Sequence, residues 1–180
     1  MIPSPGTIYS SISKLQPAEY VEIHKGQIKR EFYWQAPYVQ SNLSKDELLS
    51  KVLEQLEQST LNCEPDANTG TFLSGGLDSS TVTGMLQKIS SHPIDAFTMG
   101  FAAEGYDEME FARAAAKHFK VNLHEYYVTP ADVLKAIPLI ASTYDEPFGN
   151  ASAIPAYYCA KLAREKGMTF MNKFQRRVIR

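Results

Sequence analysis

Ser74, Gly75, Gly76, Asp78 and Ser79 form a Ser-Gly-Gly-x-Asp-Ser pattern where an apolar run stops and a helical pattern begins. Thr71 to Leu73 read as the end of a strand. Asp78, Ser79 and Ser80 are good helix-opening residues, and Val82, Met85, Leu86 and Ile89 follow at three-to-four spacing. A strand, a Gly-rich turn and a helix start together make an anion site. Glycines let backbone N–H groups approach a phosphate with no Cβ in the way, and the helix N-terminus adds partial positive charge. The loop is not of the Walker A type, because no lysine occurs between Ser59 and Gln87. A short loop without lysine suits a compact, metal-bound pyrophosphate. Asp78 would repel a polyphosphate unless Mg²⁺ stood between them, so Asp78 is the candidate metal ligand.

The pattern is specific. At roughly 7% for a residue such as Gly, a chance match over five fixed positions in this chain falls below about one in a thousand. The alternative is a plain strand-to-helix turn with Asp78 or Ser79 as N-cap and nothing bound.

The surrounding elements follow from periodicity. Tyr20–His24, a Lys25-Gly26 turn and Gln27–Trp34 predict a hairpin, which alone is marginal in water. Asn42 to Leu61 predicts a helix with Ser44 and Glu47 at capping-box spacing and Leu48, Leu49, Val52, Leu53 and Leu56 along one face. Ile94–Met99 reads as a second strand with Gly100-Phe101 as its exit. Asp107 and Glu110 open a helix carrying Phe111, Ala114, Ala115, His118 and Phe119. Val121–Val128 is a third strand. Pro130–Thr143 is a helix with Val133, Leu134, Ile137 and Ile140 inward and a kink expected at Pro138. A loop over 145–151, a helix over 152–166 and a strand from Met168 to Met171 complete the pattern.

Strands alternating with helices predict an α/β fold, a parallel sheet with helices on both faces, preceded by the N-terminal hairpin. Ligands in such sheets sit beyond the carboxyl ends of the strands. That places Ser74–Ser80, Met99-Gly100 and the stretch 145–152 on one rim.

The 180 residues suit one domain with a sizeable core, and the net charge of −2 gives no electrostatic case for nucleic acid or a membrane surface. No apolar run approaches the ~20 residues of a membrane span. Met1 to Gly6 lacks the signature of a signal peptide, so a cytoplasmic location is expected. Cys63 and Cys159 are far apart in sequence and are expected to be reduced thiols. His24, His92, His118 and His124 are scattered, which points to surface or packing roles.

The run Leu73-Ser74-Gly75-Gly76-Leu77-Asp78-Ser79-Ser80 resembles the pyrophosphate loop of the PP-loop ATPases, in the version found in glutamine-hydrolysing asparagine synthetases. Ser142–Phe148 with Ser152–Pro155 resembles the segment that faces the acceptor carboxylate in that family. The resemblance implies a HUP-type (adenine nucleotide α-hydrolase-like) fold and an ATP-dependent amide ligase using ATP and Mg²⁺. It implies ATP or pyrophosphate contacts from Leu73, Ser74, Gly75, Gly76, Leu77, Asp78, Ser79, Ser80, Met99 and Gly100, with Leu73 and Met99 flanking the adenine. It also implies catalytic parts for Asp78, Asp145 and Glu146 and a substrate contact at Ser152. The acidic pair would take Mg²⁺ or an amino group and the Ser152 helix end a carboxylate; the alternative is a helix-capping loop with solvated acids. Asp107-Glu108 matches the family pattern too, though acids in a first helical turn are ordinary helix chemistry.

Thr7 to Trp34 resembles the end of the family's glutaminase domain. The expected organisation is therefore residues 1–40 as a remnant of that domain, 41–171 as an incomplete ATP-binding domain and 172–180 as a divergent basic tail. Ile2 stands where the family carries its nucleophilic cysteine, so no glutaminase activity is expected. The tail lacks the Gly-x-Gly-x-Asp-Glu loop that follows in the family, so an incomplete copy is expected. Expected partners are ATP, aspartate or another carboxylate, and ammonia, with a glutaminase-bearing chain or a second copy as protein partner. The rivals are a nucleotide-binding remnant without turnover, and a glycan-pathway amidotransferase or β-lactam synthetase relative, which fold and motif cannot separate.

Overall fold

A computed structural model describes residues 2–102, 109–147 and 149–172; Asp107, Glu108, Phe148 and the tail beyond Asn172 lie outside them. The chain divides into two compact units. One comprises Met1–Leu43 with Thr143–Gly149, the other Ser44–Ser142 with Asn150–Arg180.

In the smaller unit, β1 (Glu19–His24) and β2 (Gln27–Phe32) pair antiparallel, with His24 opposite Gln27 across the Lys25-Gly26 turn. Both turn residues have positive φ, 47° and 79°, the primed geometry whose twist matches a two-residue hairpin. The strands stop at Phe32, two residues short of the sequence expectation.

The larger unit runs α1 (Lys45–Leu61), β3 (Thr69–Phe72), α2 (Leu77–Ile89), β4 (Asp95–Phe101), α3 (Met109–Phe119), β5 (Asn122–Val128), α4 (Pro130–Thr143), α5 (Ala153–Glu165) and β6 (Phe170–Asn172). The strands form one parallel sheet in the order β5-β4-β3-β6. Pleating sends Leu73 and Ala96 to one face, where they pack on Ala112 and Ala116 of α3. Phe97 goes to the other face, against Cys159 and Ala163 of α5. Beside it Val128, Ala136 and Tyr158 join α4 and α5 to the sheet. Helices therefore cover both faces, as the alternating pattern predicts. Among the described residues no helix is long and apolar enough to cross a membrane.

Several helix faces differ from the periodicity reading. Where a helix lies close on the sheet, alanines make the contact. On α3 the buried positions are Met109, Ala112 and Ala116, while Phe111 is 58% exposed. On α4 the buried residue is Ala136, and Leu134 and Ile137 face outward. Helix α4 continues through Pro138 to Thr143. Leu48, Leu49, Val52 and Leu53 of α1 are exposed, and only Thr60 of that helix is buried. Helix α1 instead packs beside α2, where Glu57 pairs with Lys88. Strand β4 also runs through Gly100 and Phe101 rather than ending at Met99.

Candidate functional site

Only four residues separate the end of β3 from the start of α2. The ladder extends one bond past β3, with the Leu73 N–H donating to the Phe97 carbonyl (2.9 Å). The chain then turns through Ser74, Gly75 and Gly76 into a helix whose N-cap is Gly76, so neither Asp78 nor Ser79 is the cap. No side chain caps this end. The first intrahelical bond runs from the Ser80 N–H to the Gly76 carbonyl (3.0 Å). The N–H groups of Leu77, Asp78 and Ser79 therefore point out of the helix end with no intrahelical acceptor.

Hydroxyls hold the loop in this shape. The Ser79 hydroxyl donates to the Gly76 carbonyl (3.2 Å) and accepts from the Ser74 N–H (3.2 Å). With its one proton so used, Ser79 Oγ is the acceptor in its 3.0 Å contact with the Ser74 hydroxyl. Ser74 Oγ in turn accepts from the Gly76 N–H (3.4 Å). The loop is thus preorganised by its own side chains.

The two glycines have different jobs. Gly75 has φ +81°, and a Cβ there would lie 2.5 Å from the backbone of Phe111 and Ala112. It lets α3 approach the loop. Gly76 has ordinary extended φ and ψ (−71°, 163°), and a Cβ there would meet only Ser74 Oγ, at 3.4 Å. Its bare side faces a cavity of about 470 Å³.

That cavity is lined on one side by Ser74, Gly76, Leu77, Asp78 and Ser79, with Leu73, Val82, Phe97 and Met99 making an apolar floor. Its far wall is Ser152, Pro155, Ala156 and Cys159, at helical spacing along the start of α5. The result is a polar mouth with a helix N-terminus above an apolar base. Such a shape accepts a flat apolar ring joined to an anionic group. Asp78 is exposed in the first turn of α2.

Leu73, Ser74, Gly76, Leu77, Asp78, Ser79, Met99 and Ser152 thus come together around one cavity, while Gly75, Ser80 and Gly100 do not line it. Gly100 sits inside β4, where a Cβ would strike the Tyr127 ring at 2.6 Å, so it serves packing. At Ser152 the helix end offers few free donors. The Ser152 N–H donates to Asn150 Oδ1 (2.9 Å), Ala153 and Ile154 donate to the carbonyls of Asn150 and Ala151, and Pro155 has no N–H. Asp145 and Glu146 belong to the smaller unit, where Glu146 pairs with Lys14 (2.7 Å) and the Lys14 ammonium also donates to the Ile2 carbonyl (2.9 Å).

Phe72, Val82, Phe97, Thr98, Ala156 and Cys159 also line the cavity and were not among the site residues expected from the sequence. The signal was there for α5, since 152, 155, 156 and 159 follow helical spacing from a residue already chosen. Neither Cys63 nor Cys159 forms a disulfide. His124 is partly buried, 2.6 Å from Asp95 and stacked on Phe97, which is a packing role.

Residues 51–171 match the asparagine synthase family. The chain is 32% identical over 168 residues to a putative glutamine-hydrolysing asparagine synthetase 2 of Methanocaldococcus jannaschii, covering 91% of this chain and 32% of that protein. It is 27% identical over 167 residues to the glutamine-hydrolysing asparagine synthetase 1 of Bacillus subtilis, covering 91% of this chain and 26% of that protein. The chain thus spans a third or less of the length of these relatives. Its fold is similar to that of a glutamine-dependent NAD⁺ synthetase from Acinetobacter baumannii, solved with ADP, at a TM-score of 0.50 and 15% identity over 78% of this chain and 27% of that one. By the span of the family match, this chain belongs to the asparagine synthase family.

Proposed function

We propose that this chain provides the ATP site of an ATP-dependent amide ligase of the asparagine synthetase type. One observation carries the reading: an uncapped helix N-terminus and a Gly-rich loop stand over an apolar cavity. The adenine ring would lie on the floor between Leu73 and Met99. The β- and γ-phosphates would take the N–H groups of Leu77, Asp78 and Ser79, with the Ser74 and Ser79 hydroxyls beside them.

The residues fit Mg²⁺ in the manner usual for nucleotides. Asp78 lines the cavity, and among the described residues no cluster of three or more His, Cys, Asp or Glu side chains forms a metal cage. An ion held by one carboxylate plus phosphate oxygens matches that donor set. When bound, the ion would neutralise charge on the departing pyrophosphate.

In the reaction a carboxylate oxygen of the acceptor attacks the α-phosphorus, and the bond to the bridging oxygen of the β-phosphate breaks. Pyrophosphate leaves with the electron pair, onto donors already aimed at it by the α2 terminus. Ammonia then attacks the acyl carbon, AMP departs with the carbon–oxygen electron pair, and the amide loses a proton to solvent or a nearby base. Aspartate is the acceptor suggested by the relatives' names. Ser152 would contact that acceptor through its hydroxyl. The test is acceptor-dependent pyrophosphate release with ATP, Mg²⁺ and ammonia, comparing aspartate with other carboxylates. Release with aspartate that disappears in Asp78→Asn supports the ligase. Nucleotide binding with no release for any acceptor supports a nucleotide-binding chain without turnover.

A further inference from the structure

The nucleotide reading requires one ligand to touch two elements at once: the sheet under its base and the α2 N-terminus at its phosphates. The height of α2 over the sheet therefore controls the site. A buried polar contact joins the two elements. Thr71 of β3 and Thr83 of α2 are both 0% exposed, and their hydroxyls lie 2.9 Å apart.

Thr71 cannot shift easily. It lies in a central strand, in register with Ala96 of β4 on one side and Asn172 of β6 on the other. Thr83 is six residues past Leu77, about 9 Å down the helix axis at the usual rise. A helix transmits displacement along its length, so the contact at Thr83 fixes where the Leu77–Ser79 N–H groups stand. The loop between the two threonines is tied at its mouth by the Ser74–Ser79 contact (3.0 Å). The strand and the helix are thus pinned on both sides of the loop, once at the surface and once in the core.

Stability alone does not account for the buried pair. Valine has nearly the shape of threonine, and replacing both partners of a buried hydrogen bond by apolar groups of the same shape can be nearly neutral. Two methyl carbons, however, settle at about 3.5–4.0 Å rather than at hydrogen-bond distance. The hydroxyls draw α2 onto the sheet by a fraction of an ångström up to about 1 Å, a shift that in preorganised sites costs up to about a hundredfold.

We propose that Thr71 and Thr83 are a positioning pair that sets the height of the α2 N-terminus over the sheet and thereby the affinity of the cavity for magnesium–ATP. The inference rests on the nucleotide reading given above. Its test measures magnesium–ATP affinity by calorimetry and the denaturant midpoint in four proteins: wild type, Thr83→Val, Thr83→Ser and the double Thr71→Val/Thr83→Val. The double variant is expected to unfold near the wild-type midpoint while binding about ten- to a hundredfold more weakly. Thr83→Ser keeps the hydroxyl and loses a methyl, so it should lose stability yet bind as wild type does. A double variant that binds like wild type would overturn the inference. So would Thr83→Ser binding as weakly as Thr83→Val, a comparison that decides the matter even if the double variant fails to fold. Wild-type protein that does not bind magnesium–ATP would overturn the nucleotide reading itself, and the inference with it.

Discussion

Two strand-to-helix turns at the same edge of the sheet are built in opposite ways. After β5, Thr129 and Asp132 close the start of α4. The Thr129 N–H and hydroxyl donate to Asp132 Oδ2 (2.9 and 2.7 Å), the Asp132 N–H returns a bond to Thr129 Oγ1 (3.2 Å), and Tyr126 adds its hydroxyl (3.0 Å). After β3 nothing comparable happens. Helix α2 begins at a glycine with no side-chain cap, although serines and an aspartate stand within reach in sequence. One turn satisfies its helix with an internal carboxylate; the other has no side-chain cap, and under the proposed reading its donors serve a phosphate.

The largest effect expected concerns Gly75, which belongs to the fold rather than the ligand. Gly75→Ala would force a Cβ into the α3 backbone at a positive φ, and the loss should be on the order of 3 kcal/mol or more. Denaturant unfolding would register it as a marked fall in midpoint. A midpoint unchanged from wild type would show that α3 does not rest on the loop.

Gly76→Val should do the reverse. Its φ and ψ suit any residue, so the fold should hold, while the side chain blocks phosphate from the N–H groups. Magnesium–ATP affinity is expected to fall about a hundredfold, or about 2.8 kcal/mol at 1.4 kcal/mol per decade. Unchanged affinity by calorimetry would remove the phosphate from this turn.

Asp78→Asn sharpens the comparison at the level of charge. Affinity for ATP with Mg²⁺ should drop about tenfold, in the range of one charge-assisted contact, while affinity without the metal should hold or rise. Equal losses with and without Mg²⁺ would make Asp78 a structural residue.

The smallest effect belongs to the capped turn. Hydrogen bonds from the Thr129 hydroxyl, then from its N–H, hold the Asp132 carboxyl below its ordinary range. A depressed folded-state pKa contributes stability that is present above the unfolded value of about 3.9 and is lost as pH falls through the folded value. Asp132→Asn should therefore lower the midpoint slightly at neutral pH and flatten its decline in acid, with nucleotide affinity unchanged. A variant that weakened nucleotide binding instead would tie the two turns together.

The Ser74–Ser79 pattern and the strand–helix alternation were legible in the sequence because both rest on local chemistry: turn residues, periodicity and a capping box. The different duties of Gly75 and Gly76 were not, because they depend on α3, which lies more than thirty positions along the chain. Val133 and Ile140 pack inward as expected, but Phe111 on α3 and Leu134 and Ile137 on α4 were misplaced because large apolar residues dominate a periodicity reading. Ala112, Ala116 and Ala136 make the close contacts precisely where size is a hindrance. The cavity lining joins Leu73, Phe97 and Cys159 from three separate parts of the chain, and no local spacing reveals that. The contact between Glu146 and Lys14 spans 132 positions and had no sequence signal.

The contrast between the open and closed turns is tested most directly by amide chemical shifts as magnesium–pyrophosphate and magnesium–ATP are added. The N–H signals of Leu77, Asp78 and Ser79 should move in proportion to occupancy, while those of Thr129 and Asp132 stay in place. Shifts confined to the Thr129–Asp132 turn, or none at the start of α2 at saturating ligand, would contradict the assignment of this helix end as the phosphate site.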